Sequence, residues 1–225
     1  MGALAEFVTV PERIAYHLHP TMPFEHAALI EAASVAVHAV SLTAIARGDR
    51  VAVVGAGMIG LLTLQAARHA GASEVTVFDI DDTRLAMASA LGATRTINSR
   101  NADCIREMLE DTSGRGADAV LECVGTSATV KLAVDVVRKG GQVALVGNVA
   151  PTVDMSLQSV VTRQIRLQGS CASSGEYEQC ISLMAKGAIQ VAPLISALAP
   201  LKDGAAWFAR LYDRAPGLLK VVLQP

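Results

Sequence analysis

A glycine-rich turn between an apolar run and a helical pattern constrains this chain more than any other feature. Val51–Val54 is a run of four apolar residues, and the segment Gly55-Ala-Gly-Met-Ile-Gly60 follows it directly. The residues after the turn have the periodicity of a helix that continues to about Ala70. A strand, a Gly-x-Gly-x-x-Gly turn and a helix in this order are typical of the first βα unit of a sheet that binds a dinucleotide.

The glycines of this turn have separate physical roles. Gly55 permits the tight turn, Gly57 lets the backbone approach a pyrophosphate, and Gly60 lets the helix pack closely on the strand. The N–H groups and the positive dipole end of the helix would then face the phosphates. The residues that we predict to bind NAD(H) here are Gly55, Gly57, Met58, Ile59 and Gly60.

From residue 50 onward, short β-branched runs alternate with helical patterns. Strands are predicted at Val51–Val54, Val75–Phe78, Thr94–Ile97, Ala119–Val124, Val143–Val146 and Ile165–Gln168. Helices are predicted at Met58–Ala70, Asp82–Leu91 with Asp82 as its cap, Ala102–Asp111 and Ser127–Arg138. This alternation predicts an α/β fold with a doubly wound, parallel, six-stranded Rossmann sheet.

An acidic residue ends the second predicted strand. Asp79 lies 19 residues after Gly60, where a carboxylate can accept hydrogen bonds from both hydroxyls of the adenosine ribose and repels the 2′-phosphate of NADP. A turn or cap role is the alternative, because Asp81 and Asp82 are adjacent. Arg84 could lie over the adenine, pair with Asp79, or be an exposed helix residue. The pattern favours NAD over NADP.

Small residues follow the predicted fourth and fifth strands, in Cys123–Gly125 and Val146–Asn148. Ligands of open α/β sheets lie across these strand ends, where small residues let a nicotinamide ring and its ribose pass. The alternative is that the glycines only turn the chain. The cofactor-binding residues predicted here are Cys123, Val124, Val146 and Gly147.

Composition excludes several classes of partner. The formal net charge is −2, from 19 basic and 21 acidic residues with no long run of either sign, which gives no basic surface for nucleic acid or an anionic membrane. The longest apolar stretch, Val51–Leu64, contains three glycines and is too short to cross a bilayer. The four cysteines have no metal-binding spacing, and the N-terminus lacks a secretory pattern. We expect a soluble, cytoplasmic protein.

Three segments outside the predicted sheet resemble segments of one known family. Gly2–Arg13 is similar to a Gly-x-x-Ala-Glu-Tyr segment, Ala28–Ala39 to Glu-Pro-x-Ser-Val-Ala-x-His-Ala, and Leu219–Pro225 to a closing strand. The family is the medium-chain, zinc-dependent alcohol and polyol dehydrogenases, especially the sorbitol and threonine dehydrogenase branch. The resemblance covers nearly the whole chain.

The resemblance implies a reaction and one metal-side residue. In this family zinc binds the substrate oxygen, and C4 of the nicotinamide takes a hydride from an alcohol or polyol. Glu31 matches the glutamate at the zinc site of this branch, as a ligand or through water, and an ordinary helix glutamate is the alternative. Ala32 and Ala33 depart from the family pattern, in which Pro and a bulkier residue follow that glutamate.

The family's other zinc ligands, a Cys and a His or Glu, lie in an N-terminal barrel, of which this sequence matches only the last strands. His17 and His19 have a two-residue metal spacing, but we expect them to serve packing or solvent contact. The chain is therefore expected to bind NAD, to retain no stoichiometric zinc, and to be inactive alone. The predicted organisation is 1–30 barrel remnant and linker, 31–195 dinucleotide-binding domain, and 196–225 catalytic-domain helix and strand.

The two ends contain short patterns that cannot form a core alone. Phe7–Val10 and Leu219–Leu223 are strand-like, and a helix is predicted near Ala205–Tyr212. An apolar face that would meet the barrel is expected to be exposed or covered by another subunit. The residues predicted around that face are Phe7, Leu29 and Val35.

The sixth predicted strand, extended to Ile165–Gly169, is expected at the sheet edge, where unpaired backbone groups invite a partner. In the resembled family two such edges pair across a two-fold axis. Arg163 and Arg166 could instead prevent such pairing, because they place charges on or beside the edge strand. We expect a homodimer or a higher homo-oligomer.

Two alternatives to the dehydrogenase remain open. One is a non-enzymatic dinucleotide-binding module, and the other is a zinc-independent enzyme of the quinone-reductase type. Glu31 and Asp79 weigh against the second alternative.

Overall fold

The alternating pattern forms one parallel sheet in the computed structural model, which describes residues 4–225. The strands are β1 Arg50–Val54, β2 Glu74–Asp79, β3 Arg95–Asn98, β4 Ala117–Glu122, β5 Val137–Leu145 and β6 Arg166–Gly169. They lie in the order β3-β2-β1-β4-β5-β6, and all neighbours are parallel. The predicted doubly wound Rossmann sheet is confirmed, and its direction of winding reverses between β1 and β4.

Helices cover both faces of this sheet. They are α1 Phe24–Ala27, α2 Ile30–Ser41, α3 Met58–Ala70, α4 Asp82–Ala90, α5 Cys104–Asp111, α6 Ser127–Val136, α7 Leu157–Thr162, α8 Tyr177–Ala185 and α9 Gly204–Tyr212. Side chains of α2, α3, α4 and α8 form one core with the sheet, and those of α5 and α6 form the other. Val51 and Val53 belong to the first core, and Ala52 and Val54 to the second. The apolar run of β1 is therefore buried on both faces, as a central parallel strand requires.

The first helix of the sheet begins and ends where its sequence predicts. α3 spans Met58–Ala70, and Gly71 ends it in the left-handed conformation with φ +114°. The cap of α4 is different from the prediction. Asp81, not Asp82, is the cap, because its extended backbone lets its carboxylate accept the N–H groups of Thr83 and Arg84.

The boundary between α6 and β5 also differs from the prediction. The helix ends at Val136 rather than Arg138, and β5 begins at Val137, which pairs with Ala117. The apolar periodicity of α6 continues into this segment, and only pairing with a strand 20 residues earlier converts it to β-structure. In β4 the paired residues stop at Glu122, before the predicted end at Val124.

The two ends of the chain depart further from the sequence pattern. Within the described residues, Phe7–Val10 forms no strand and is exposed, because no neighbouring strand pairs with it. The predicted helix near Ala205–Tyr212 is α9. The predicted tail strand is β8 Lys220–Gln224, and it pairs in parallel with β7 Ile195–Pro200, which the sequence did not reveal.

Gly2 and Ala3, the first two residues of the match at Gly2–Arg13, lie outside the described residues. The domain boundaries after residues 30 and 195 stay predictions. None of the helices described over residues 4–225 has the length and apolar character needed to span a bilayer.

Candidate dinucleotide-binding site

The glycine turn after β1 leaves no space for side chains at two positions. Gly55 has φ +100°, and a Cβ added there would lie 2.5 Å from Cγ2 of Val124. A Cβ added at Gly60 would lie 1.8 Å from the carbonyl oxygen of Gly55. The first turn of α3 therefore packs against the end of β1 at Gly60, whereas Gly55 is required by its left-handed backbone and by the close approach of Val124.

Gly57 differs from these two glycines because it faces open space. A Cβ added at Gly57 would meet no atom of residues 4–225 within 4 Å. Gly57 is the N-cap of α3, and no side chain of the described chain caps the helix there. The first N–H groups of a helix have no intrahelical acceptor and carry a partial positive charge. The half-exposed turn formed by Gly57, Met58 and Ile59 can therefore accept an anion such as a pyrophosphate.

Asp79 connects this turn to the end of β2. Its side chain is 8% exposed, and Oδ2 accepts the N–H of Ala56 at 2.5 Å. Oδ1 accepts the N–H groups of Ile80 at 2.7 Å and Asp81 at 3.0 Å. A carboxylate has about four lone-pair positions, so one stays available to a ligand beside the glycine turn.

Arg84 pairs with Asp81 rather than with Asp79. Its Nε lies 3.9 Å from Oδ2 of Asp81, and both side chains are nearly half exposed. Slight burial opposes ionisation of Asp81, but the N–H groups of Arg84 and Thr83 outweigh it and lower the pKa of that carboxyl. Arg84 and Arg214 line a cleft of about 400 Å³ between the start of α4 and the segment after α9.

Ile80 is a surface residue that the sequence interpretation did not single out. It follows Asp79 directly, at the carboxyl end of β2, and its side chain is 51% exposed. An exposed branched apolar side chain beside a candidate ribose-binding carboxylate offers a flat base a surface to pack against. A single apolar residue among Asp79, Asp81 and Asp82 was the available sequence signal.

Glu122 was also missed, and it organises the other half of the site. It is fully buried at the end of β4, and Oε1 accepts the N–H groups of Val124 at 2.9 Å and Gly125 at 2.8 Å. Its carbonyl oxygen accepts the N–H groups of Val146 at 2.8 Å and Gly147 at 2.9 Å. One residue thus fixes the turns after β4 and β5. A charged residue inside the apolar run of β4 was the sequence signal.

These two turns touch through their glycines. A Cβ added at Gly147 would lie 2.2 Å from the carbonyl carbon of Val124, and one at Gly125 would lie 2.4 Å from that of Gly147. Val124 and Val146 stay half-buried. Burial raises the pKa of the Cys123 thiol to about 12, so this side chain is neutral. The predicted residues at β4 and β5 therefore form a close-packed, uncharged surface.

A family model described as zinc-binding dehydrogenase matches residues 59–186, more than half of the chain. The chain belongs to this family. Among curated relatives, a zinc-type alcohol dehydrogenase-like protein of Escherichia coli is 32% identical over 99% of the chain and 64% of its own length. The sorbitol dehydrogenase of Bacillus subtilis is 28% identical over the whole chain and 64% of its own length.

A solved structure also supports membership of this family. The structure from Sinorhizobium meliloti, described as a zinc-binding dehydrogenase bound to NADP, superposes with a TM-score of 0.93 at 31% identity, over 100% of this chain and 66% of that chain. The resemblance found in the sequence is confirmed. The chain spans less than two thirds of the length of the curated relatives that it matches.

The described residues of this chain do not assemble a zinc site on their own. Glu31 lies exposed in the first turn of α2. Over residues 4–225, no group of three or more His, Cys, Asp or Glu side chains is close enough to hold a metal ion. His17 and His19 are exposed, and His38 bonds Glu176 through Nδ1 and Oε1 at 2.7 Å. The donor set therefore does not fit a catalytic zinc, which takes three protein ligands.

The predicted apolar face is only partly present. Phe7 is 90% exposed and Val35 is half-buried, but Leu29 is fully buried in the core shared by α2 and α3. The expectation that Leu29 lies on this face is wrong, because its side chain turns toward the sheet core at the start of α2.

Proposed function

We propose that this chain is the NAD(H)-binding portion of an oxidoreductase that transfers a hydride between an alcohol or polyol and NAD. The observation that carries the proposal is the open N-terminus of α3 at Gly57, next to the carboxylate of Asp79. The family match and the sorbitol dehydrogenase among the relatives support the substrate class. When bound, NAD would supply the hydride acceptor, C4 of its nicotinamide, for oxidation of the alcohol carbon.

In the proposed complex, each part of the cofactor lies at the carboxyl end of a different strand, and the parts follow the order of the strands in the sheet. The pyrophosphate would lie on the N–H groups at Gly57, Met58 and Ile59, where the helix dipole favours negative charge. The adenosine ribose would use the remaining acceptor position of Asp79, with the adenine against Ile80. The nicotinamide half would cross the uncharged surface at the ends of β4 and β5.

A preference for NAD over NADP is part of this proposal. A 2′-phosphate beside Asp79 would place two anions close together at a site where the carboxylate is held by three N–H groups. The Sinorhizobium meliloti relative is bound to NADP, so family membership alone does not decide the preference. Arg84 adds positive charge nearby, but its guanidinium is paired with Asp81.

The described residues would bind and orient the cofactor, but they hold no metal-ligand group that could stabilise an alkoxide. Oxidation of an unactivated alcohol needs a group that stabilises the developing oxyanion. Glu31, proposed as the zinc-side residue, is a single exposed carboxylate. We therefore propose that the 225-residue chain turns over alcohols and polyols near background. A non-enzymatic dinucleotide-binding module stays the second candidate.

Assembly and location are further parts of the proposal. β6 is an edge strand of the sheet, and most of its residues are exposed. An exposed parallel edge offers unpaired N–H and C=O groups to a second copy. We propose a homodimer or higher homo-oligomer through this edge. A cytoplasmic location is supported by the four cysteines, all of which lie in the described residues as free thiols.

Gly57→Asp tests cofactor binding without disturbing the fold. Gly57 has φ −70°, and an added Cβ has free space, so the variant should fold as the wild type does. The new carboxylate would stand where the pyrophosphate is proposed, and NADH binding measured by calorimetry should be lost. Ala209→Asp, which adds the same charge on exposed α9, is the control. Unchanged NADH affinity in Gly57→Asp would contradict the proposed site.

A further inference from the structure

The loop between β6 and α8 crosses from the carboxyl edge of the sheet to the helices that cover it. It begins at Ser170, whose N–H donates to the carbonyl of Leu145 at 2.9 Å, and it ends at Glu176, the N-cap of α8. Because β5 and β6 are adjacent parallel strands, the loop leaves the sheet beside the turn after β5, which starts at Val146. It therefore borders the uncharged surface proposed for the nicotinamide, on the side away from Asp79.

The backbone of this loop has few contacts of its own, and most of its residues are exposed. Ala172 has φ +53° and Gly175 has φ +101°, so both lie in the left-handed region, which is unfavourable for alanine. In the part of the chain that the structure describes, backbone groups of residues 171–175 make one hydrogen bond, from the N–H of Ser174 to the carboxylate of Glu176. The position of such a strained, exposed segment depends on that bond.

The Glu176 carboxylate that holds the loop is itself held by α2. Oε2 accepts the N–H of Ser174 at 2.5 Å, and Oε1 lies 2.7 Å from Nδ1 of His38. The side chains of His38 and Glu176 are only 16% and 14% exposed. Loss of water around Glu176 opposes its ionisation, but the N–H of Ser174 and the ring of His38 outweigh this effect and lower the pKa of the carboxyl. An ionised carboxylate only accepts hydrogen bonds, so Nδ1 of His38 carries the proton.

The start of α8 has a second contact, which lies beyond the loop. The rings of Tyr16 and Tyr177 are stacked, with centroids 5.2 Å apart and planes 8° from parallel. This stack holds the chain where it enters α8, after Glu176, and leaves the loop before Glu176 unsupported. Among the described side chains, His38 is the one that bonds the Glu176 carboxylate. His38 is therefore the residue through which α2 sets the place of the loop.

We infer that His38 is a positioning residue of the proposed dinucleotide site, because through Glu176 it holds the loop after β6 where the loop encloses the nicotinamide end of bound NAD(H). This inference rests on the proposed NAD(H)-binding function. His38 acts through Glu176 and not through contact with the cofactor. A loop that is held in one arrangement before the ligand arrives costs less to order on binding. Loss of His38 should therefore lower the affinity for the nicotinamide half alone.

His38→Ala tests the inference with two ligands, NADH and ADP-ribose, which lacks the nicotinamide. NADH should bind about 3- to 12-fold more weakly than to the wild type, the change in occupancy of the held loop that one hydrogen bond to a charged group can supply. ADP-ribose should bind with unchanged affinity. Both titrations are made below the melting transition of each variant. His69→Ala, at an exposed histidine in the last turn of α3, should change neither affinity.

Two further variants distinguish positioning from a role in packing. His38→Asn keeps an N–H donor near the place of Nδ1, and it should restore most of the NADH affinity that His38→Ala loses. Glu176→Ala should weaken NADH binding at least as much as His38→Ala does. Adding His38→Ala to Glu176→Ala should cause no further loss, because the two side chains act through one bond.

The outcomes separate this inference from the function on which it depends. Unchanged NADH affinity in His38→Ala would overturn it, and so would equal losses for NADH and ADP-ribose or additive losses in the double variant. NADH binding to His38→Asn that is no tighter than to His38→Ala would also count against it. A wild-type chain that binds neither ligand would overturn the proposed function and the inference with it. A wild-type chain that binds ADP-ribose as tightly as NADH would overturn the role of His38 alone.

Discussion

Replacing Glu122 by Gln tests how the fold holds the nicotinamide side of the site. The buried carboxylate accepts the N–H of Val124 at 2.9 Å and the N–H of Gly125 at 2.8 Å and 3.0 Å. Glutamine keeps one acceptor oxygen and directs its NH₂ group at one of these donors. An unpaired buried N–H costs about 1–3 kcal/mol, and the loss of charge assistance raises the total to roughly 2–4 kcal/mol.

For a chain of this size, that loss should lower the melting temperature by about 4–16 °C. Calorimetric melting measures the shift, and NADH titration below the transition measures whether the turns after β4 and β5 still bind the cofactor. Glu74→Gln is the matched control, because Glu74 bonds Arg50 at 3.0 Å with both side chains more than a third exposed. Such a screened pair contributes at most about 1 kcal/mol. Equal melting temperatures for Glu122→Gln and Glu74→Gln would refute the reasoning.

Three further predictions concern cofactor choice, assembly and metal content. Asp79→Ser should raise NADPH affinity relative to NADH in calorimetric titrations, because it removes the carboxylate beside the proposed ribose; an unchanged ratio would count against Asp79. The chain should sediment as a dimer or larger assembly, and Leu167→Pro on β6 should dissociate it; a dimer that survives this substitution does not form through the edge. Metal analysis of the purified chain should find no stoichiometric zinc, and assays on sorbitol and other polyols should give background rates; one zinc per chain with clear turnover would show that Glu31 has partners we have not identified.

The parts of the fold that the sequence predicted are those with local signals. Gly60 is required where α3 packs on the end of β1, Gly55 is required where the left-handed backbone approaches Val124, and Gly71 ends α3 in a left-handed conformation. The order of apolar runs and helical patterns was enough to predict a doubly wound, parallel, six-stranded sheet, because right-handed crossovers leave few topologies.

The parts that were missed depend on contacts between distant residues. Val137 continues a helical pattern but pairs with Ala117 in the sheet. Phe7–Val10 has strand-like residues but pairs with no strand in residues 4–225.

The two buried carboxylates of the site hold different turns in place. Asp79 ties the turn after β1 to the end of β2, and Glu122 ties the turns after β4 and β5. Both act on backbone N–H groups of this chain, so the surface proposed for NAD is held in place before any ligand binds, which reduces the entropic cost of binding. Glu31 has no comparable support in the described residues. Glu31 should therefore not be needed for cofactor binding: substitutions at Asp79 or Glu122 should change NADH affinity, whereas Glu31→Ala should leave it unchanged.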